Sequence, residues 1–235
     1  MLVALGVLVA GGAAVWGWHV LVTSGRLHVQ ATAASHSERD VRPATTTSTT
    51  LPPTTTTTDP GLLPQTTAFP SDQTSQFQNE MSDLFQAVVT DSAATAQPAF
   101  FPESAYLQLK TIYNARSDYE NRLEGDFNLD IGAAHGLLGN DANTAKLLEA
   151  TAPSGFGHWI PPGVCDNSVG YYELPNARLV YQEDGQIRSF GIASMISWRG
   201  VWYVVHLGAI LRSSDGGFVD DPSVGPGTSI PSSTC

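Results

Sequence analysis

The first candidate for chemistry in this sequence is His206, whose imidazole could support proton transfer. It lies in the apolar stretch VWYVVHLG (201–208), between a valine and a leucine. A histidine that shares a pocket with a carboxylate can act as a general acid or base near neutral pH. In such an enzyme His206, Glu173 or Asp126 would be the base. The apolar neighbours favour a plainer interpretation, in which His206 is a buried or half-buried strand residue with one hydrogen bond.

Cys165 is the second candidate for chemistry, because a thiol with His158 or His206 nearby could act as a nucleophile. No local sequence signature supports that assignment. The chain has only two cysteines, Cys165 and the terminal Cys235, and we place them in an oxidising compartment. We therefore predict a Cys165–Cys235 disulfide. Closing so long a loop would stabilise the fold by about 3–4 kcal/mol in the chain-entropy model.

Acidic and amide side chains alternate at Asp126, Asn128 and Asp130, as they do at the start of a calcium-binding loop. An EF-hand loop also needs glycine at its sixth position and glutamate at its twelfth. Ile131 and Leu137 occupy those positions, so ordinary polar positions on a helix or turn are favoured. The histidines show no ligand spacing, and no glycine-rich phosphate loop is present. We predict no metal and no cofactor.

Aromatic residues are frequent in the second half of the chain and could line a sugar or lipid pocket. The candidate pocket residues are His206, Trp202, Tyr203, Glu173 and Tyr172. In strands, however, aromatic side chains more often form the core and cross-strand pairs. Both interpretations stay open from the sequence.

The formal net charge is −11, and only 14% of the 235 residues are charged. Nucleic-acid binding requires clustered lysine and arginine side chains, which this chain lacks. Nucleic acid is therefore excluded as a partner.

The segment Leu2–Val22 carries no formal charge. As a helix it would span roughly 31 Å, which matches the hydrocarbon core of a bilayer. A cleaved signal peptide is the alternative, but its small-residue site at 31–33 would lie far beyond the apolar end. We predict an uncleaved transmembrane anchor over residues 1–24.

A stalk of residues 25–70 is predicted to follow the anchor. Ten of the fourteen residues at 45–58 are threonine, and such Thr/Pro tracts cannot bury apolar area. Arg26, Arg39 and Arg42 after the span would favour an internal location by the positive-inside rule. An extended spacer suits a cell envelope better, so we predict a single-pass protein of the cell membrane with its C-terminal domain outside.

Helices dominate the first part of the domain predicted at 71–212. Apolar residues recur with helical spacing in FQNEMSDLFQAVV (77–89), and Ser71 or Asp72 could cap this helix. A second helix is predicted at 103–113. Residues 114–150 suggest a helix broken near Gly125 or Gly132, and then a short helix at 142–150.

Strand-like segments follow, and a hairpin is predicted around Trp198–Gly200. A two-residue loop would pair Trp198 with Val201 and place His206 opposite Ala193. A three-residue loop would pair Ser197 with Val201 instead, and we favour it because it keeps Arg199 out of positive φ. The tail from 213 to 235 is predicted to be irregular. Helices followed by an antiparallel meander predict an α+β fold with the helices on one face of the sheet.

Two resemblances add to this interpretation. The run WIPPGVCDNSVGYYELPNARLVYQEDGQIRSFGIASMISWRGVWYVVHLG (159–208) resembles an uncharacterised family of secreted or membrane-anchored proteins of high-GC Gram-positive bacteria. The element order, with GVWYVV (200–205) in the last hairpin, resembles the nuclear transport factor 2-like (cystatin-like) fold. That resemblance implies a curved sheet wrapped on a long helix, and an assembly, ligand-binding or, in a few members, isomerase or dehydratase function.

Three functions are compatible with these features. The first is a non-enzymatic interaction or assembly module that contacts an envelope protein or the cell wall. The second is a binding module for a small molecule, lipid or glycan, which requires a pocket in the sheet. The third is a cone-type enzyme, which requires His206 and a carboxylate in one cavity. We expect them in that order.

Overall fold

The computed structural model describes residues 58–212 and 216–229. This part of the chain combines helices with a six-stranded antiparallel sheet, which confirms the α+β class. The predicted membrane span at Leu2–Val22, most of the predicted stalk and Cys235 lie outside the described residues. Among the residues described, no helix is long and apolar enough to cross a membrane.

The helices precede the strands along the chain. The α-helices are α1 (Ser75–Thr90), α2 (Glu103–Leu109), α3 (Ala115–Asp118) and α4 (Glu124–Leu138). The strands are β1 (Lys146–Thr151), β2 (His158–Ile160), β3 (Tyr171–Glu183), β4 (Gln186–Trp198), β5 (Val201–His206) and β6 (Asp220–Val224).

Helix α1 forms where the apolar spacing predicts it. Its apolar stripe is buried and contacts α4, β1 and β5. The predicted cap is wrong, because Thr74 caps the helix through a hydrogen bond from the Phe77 amide (3.2 Å). The Asp72 carboxylate accepts a hydrogen bond from the Ala152 amide (3.0 Å) instead, and so links the start of α1 to the end of β1.

A single long helix occupies residues 115–138, and the predicted break near Gly125 or Gly132 is wrong. Helix α3 passes through a π-helical turn, Tyr119–Leu123, directly into α4. Phe127 and Ile131 on α4 are buried. Their packing keeps the helix intact through three glycines (Gly125, Gly132 and Gly136) that would weaken it in isolation, because tertiary burial outweighs a propensity cost of about 1 kcal/mol per glycine.

The helix predicted at 142–150 is also wrong. A 3₁₀ helix ends at Thr144, and Lys146–Thr151 forms β1, which pairs with β3. The segment has helix-forming residues, but hydrogen bonds to a neighbouring strand determine its conformation. Context of this kind routinely overrides local propensity.

The sheet has the strand order β1-β3-β4-β5, with β2 beside β3 and β6 beside β4. Strand β3 runs through Pro175, and Asn176 there has φ +58°. The register with β4 is the same on both sides of Asn176, so two predicted strands form one long strand. The core lies where the helices pack on the sheet, and the stacked rings of Phe100 and Phe127 (4.3 Å between centroids) are part of it.

The favoured three-residue hairpin loop is wrong. Trp198 pairs with Val201, so the loop is Arg199-Gly200, and both residues have positive φ (55° and 78°). Gln65 stabilises this turn, because its side-chain oxygen accepts a hydrogen bond from the Arg199 amide (2.6 Å). The Arg199 guanidinium also donates to the Pro64 carbonyl (2.5 Å). These contacts offset the backbone strain that argued against a two-residue loop.

The two ends of the described chain pack against the sheet. Near the N-terminal end, Trp198 Nε1 donates to the Pro60 carbonyl (3.1 Å) and Gln65 Nε2 donates to the Ser197 carbonyl (2.7 Å). Contacts with the globular domain therefore begin before position 71. Near the other end, β6 pairs with β4, so the segment predicted to be irregular includes a strand.

Candidate ligand-binding cavity

A cavity of about 350 Å³ lies between α2, the π-helical turn and the ends of β3, β4 and β5. Its lining includes His206 and Glu173 together with Tyr106, Lys110, Arg122, Tyr171 and Ser194. The apolar part of the wall consists of Leu109, Leu123, Ile196, Val205, Ile210 and Leu211. A wall of this composition suits a molecule with one polar and one apolar part.

The sheet supplies four of these side chains from two neighbouring strands. Tyr171 and Glu173 alternate on β3, and Ser194 and Ile196 alternate on β4. Residues two apart in a strand point to the same face, so each pair is directed into the cavity. Glu173 is almost completely buried, and its Oε2 lies 3.5 Å from Nε2 of His158 on the adjoining strand β2.

His206 reaches the cavity because of a bulge at the end of β5. Met195 pairs with Val204 and Ser194 pairs with His206, so Val205 is an extra residue in the ladder. His206 therefore faces Ser194, and neither sequence-based register is correct in full. An extra residue rotates the chain that follows it, which accounts for Val205 and His206 both lining the cavity.

The His206 ring is neutral. Burial lowers its pKa to about 3, and the charges of Arg122 and Arg212 act in the same direction. The ring is buried, and Nδ1 has no hydrogen-bond partner. A neutral imidazole carries one donor and one acceptor nitrogen, so His206 is available for hydrogen bonding to a molecule in the cavity.

Helix α2 contributes Tyr106, and Lys110 directly follows the last residue of this helix. The Tyr106 hydroxyl donates to the Asp118 carboxylate, and burial raises its pKa above the usual value. Lys110 Nζ donates to the Cys165 carbonyl (2.8 Å), and burial lowers the pKa of its ammonium group. Helix α2 is thereby tied to the loop before β3.

The π-helical turn contributes Arg122 and Leu123. Arg122 donates to both carboxylate oxygens of Asp118 (2.7 and 2.6 Å), and these bonds lower the pKa of Asp118. Arg122 also donates to the Tyr106 hydroxyl (3.2 Å). A π turn widens a helix locally and is frequent at functional sites. Here it brings a cation and an apolar side chain to the same cavity.

The charges around the cavity are balanced. Asp118 pairs with Arg122, and Glu173 acts electrostatically on Lys110. The cavity is therefore suited to a polar group that both donates and accepts hydrogen bonds, and not to a strongly charged ion.

The structure brings two of the five candidate pocket residues together, His206 and Glu173. Tyr172 lies on the opposite face of β3, where its ring contacts Phe69 (4.8 Å). Trp202 and Tyr203 do not line the cavity either. Trp202 packs against Phe69 (5.8 Å), and Tyr203 packs against Phe101 (6.0 Å). Trp202 and Tyr203 are core residues, and Tyr172 belongs to an aromatic cluster with Phe69 and Trp159.

Asp126 does not line the cavity. It lies 3.4 Å from the Arg212 guanidinium, and Asp130 binds the same arginine at 2.7 Å. The acidic residues singled out for calcium therefore hold a cation of the chain itself. Cys165 is not a free thiol, so the nucleophile interpretation has no support here. Its predicted partner Cys235 lies outside the described residues, and that pairing stays a prediction.

Five polar residues of the cavity are absent from the five candidate pocket residues: Tyr106, Lys110, Arg122, Tyr171 and Ser194. Three of them carry a signal in the sequence, because Tyr171 alternates with Glu173 in a strand and Tyr106 and Lys110 are four apart in the helix predicted at 103–113. Ser194 and Arg122 carry none, because their position depends on the sheet register and on the π turn. No protein-family model, curated protein or solved structure matches this chain.

Proposed function

We propose that the domain binds a small amphipathic molecule and is held outside the cell membrane by the N-terminal anchor. The observation that carries the proposal is the cavity itself, whose volume of about 350 Å³ falls within the range of ligand-binding pockets, roughly 300–1,000 Å³. Buried polar side chains lie beside an apolar wall there, and the His206 imidazole has an unused nitrogen. An interaction module for an envelope or cell-wall partner remains the alternative, but it does not require such a cavity.

The order of the elements supports a finer proposal for the fold. Helices are followed by a mostly antiparallel meander, and the cavity opens between the long helix and the sheet. This arrangement is the one expected of a nuclear transport factor 2-like domain. We therefore retain that architecture as part of the proposal, together with the likeness to envelope proteins of high-GC Gram-positive bacteria.

A proton-transfer enzyme is the second candidate, because Glu173 and His206 share one cavity. His206 would be a poor general base at neutral pH, since an efficient base titrates near the working pH and burial lowers the pKa of His206 to about 3. Glu173 would therefore be the base. Once a ligand is identified, Glu173→Gln should keep binding and abolish turnover if this candidate is correct.

The binding proposal is tested by filling the cavity. Ser194 is buried on the cavity wall, and Ser194→Phe would occupy the space of a ligand. Ser82 is exposed on α1, so Ser82→Phe is a matched control that adds the same side chain elsewhere. The wild type and both variants are purified as full chains, and organic extracts are compared by mass spectrometry. Folding is checked by circular dichroism.

We expect a small molecule that is abundant in extracts of the wild type and of Ser82→Phe but depleted in extracts of Ser194→Phe. Equal amounts in all three folded proteins, or none in any of them, would contradict the proposal.

A further inference from the structure

The depth of the side chains around the cavity divides it into a polar inner end and an apolar mouth. Glu173, Ser194 and His206 are 2%, 3% and 7% exposed, so they lie at the inner end. Ile210 and Leu211 line the same cavity but are 37% and 92% exposed. The usual arrangement of a protein surface is reversed here, because polar groups are buried and two large apolar side chains are exposed.

Hydrogen bonds fix the chain both before and after Ile210 and Leu211. Before them, the Gly208 amide donates to Asp130 (2.9 Å), and after them Arg212 donates to both oxygens of the same carboxylate (2.8 and 2.7 Å). Asp130 is fully buried on α4. One buried carboxylate therefore fixes both ends of the segment that carries the two apolar side chains.

We infer that the ligand is a single-chain amphiphile that binds with its polar head inward, and that its hydrocarbon chain leaves the cavity across Ile210 and Leu211. This inference rests on the proposed function and adds the ligand class and its orientation. The head needs to donate and accept hydrogen bonds, because Glu173 is an acceptor and Lys110 is a donor. The chain covers the exposed Leu211 side chain and removes it from water, which favours binding.

The orientation can be measured with two photoreactive monopalmitoylglycerols, whose uncharged head both donates and accepts hydrogen bonds. One carries its diazirine close to the ester carboxyl group and the other carries it close to the methyl end. Each is added to the full chain reconstituted in phosphatidylcholine vesicles and irradiated. The crosslinked residues are then identified by proteolysis and fragmentation in a mass spectrometer.

We expect the carboxyl-proximal diazirine to label residues around Glu173 and Ser194, and the methyl-proximal diazirine to label Ile210 and Leu211. Leu211→Ser should reduce labelling by the methyl-proximal diazirine at least about threefold, because the apolar contact is lost. Labelling by the carboxyl-proximal diazirine should be unchanged. Leu129 is a matched control, since it is 45% exposed on α4 and does not line the cavity. Leu129→Ser should behave like the wild type.

Failure of the binding function and failure of the ligand orientation give different labelling results. If neither probe labels cavity residues above the level seen with Ser194→Phe, the proposed binding function is wrong for this class of molecule. If the cavity is labelled but the methyl-proximal diazirine reacts around Glu173 and Ser194, binding is real and the orientation is reversed. The inference would also be overturned if Leu211→Ser left labelling by the methyl-proximal diazirine unchanged.

Discussion

Replacing Asp130 by alanine should destabilise the domain by about 3–5 kcal/mol, which is the usual cost of removing one partner of a buried ion pair. Asp130 is 0% exposed and accepts four hydrogen bonds, two from Arg212 and one each from the Gly208 and Phe218 amides (2.7–2.9 Å). In Asp130→Ala the guanidinium of Arg212, whose side chain is only 9% exposed, loses its main partner. The two backbone amides left without an acceptor account for part of this cost, because an unsatisfied buried amide typically costs about 1–3 kcal/mol.

Asp126→Ala provides the matched control on the same helix. Asp126 also faces Arg212, but at 3.4 Å, with a side chain that is 20% exposed. It has no hydrogen bond to either of the two amides, so the expected cost is below about 1 kcal/mol. The free energy of unfolding is measured for each full chain by urea titration, followed by near-ultraviolet circular dichroism.

The difference in unfolding free energy between the two variants measures what complete burial and the two backbone hydrogen bonds of Asp130 contribute. A loss below about 1 kcal/mol in Asp130→Ala, or equal losses in the two variants, would refute the conclusion that backbone acceptance and complete burial set the magnitude. Asp130→Ala should also weaken the labelling of Ile210 and Leu211 described above, because their segment is no longer held at both ends.

Three further predictions concern stability. Burial raises the pKa of Glu80 from 4.5 to about 7. The folded state therefore binds the extra proton, and stability falls as pH rises from about 4.5 to 7. Glu80→Gln should raise stability at pH 8 by about 1–3 kcal/mol in urea titrations. His206 acts at lower pH, because its pKa falls from 6.5 to about 3 on folding. The contribution of neutral His206 to the free energy of unfolding is complete above pH 6.5. It is lost as the pH falls towards 3, by up to about 1.4 kcal/mol per pH unit. His206→Leu should flatten the acid limb of a plot of melting temperature against pH, and an unchanged slope would contradict the assignment. A Cβ at Gly217 would collide with the backbone carbonyl of Leu129. Gly217→Ala should lower the melting temperature, at a cost of about 1–3 kcal/mol, and an unchanged melting temperature in calorimetry would argue against the contact.

Short-range patterns in the sequence determined several elements of this fold. The apolar stripe of α1 is a property of consecutive residues, and burying one face of a helix needs only the correct spacing. The strands β3, β4 and β5 follow from β-branched and aromatic runs, and the turn at 184–185 follows from Glu183-Asp184-Gly185. The general α+β class then follows from the order of these elements.

Long-range contacts determined the turn at Arg199-Gly200, strand β1 and the cavity, and no local pattern in the sequence carries that information. Arg199 adopts positive φ because Gln65, 134 residues away, accepts a hydrogen bond from its amide. Residues 146–151 form a strand because β3 offers an unpaired edge, although their own propensity favours a helix. The cavity depends on such contacts most of all. His206 and Glu173 stand out in the sequence, but their meeting with Lys110 requires a bulge in β5 and the hydrogen bond that ties α2 to the Cys165 carbonyl. A site that several distant elements build exists only once their packing has fixed the relative positions of those elements.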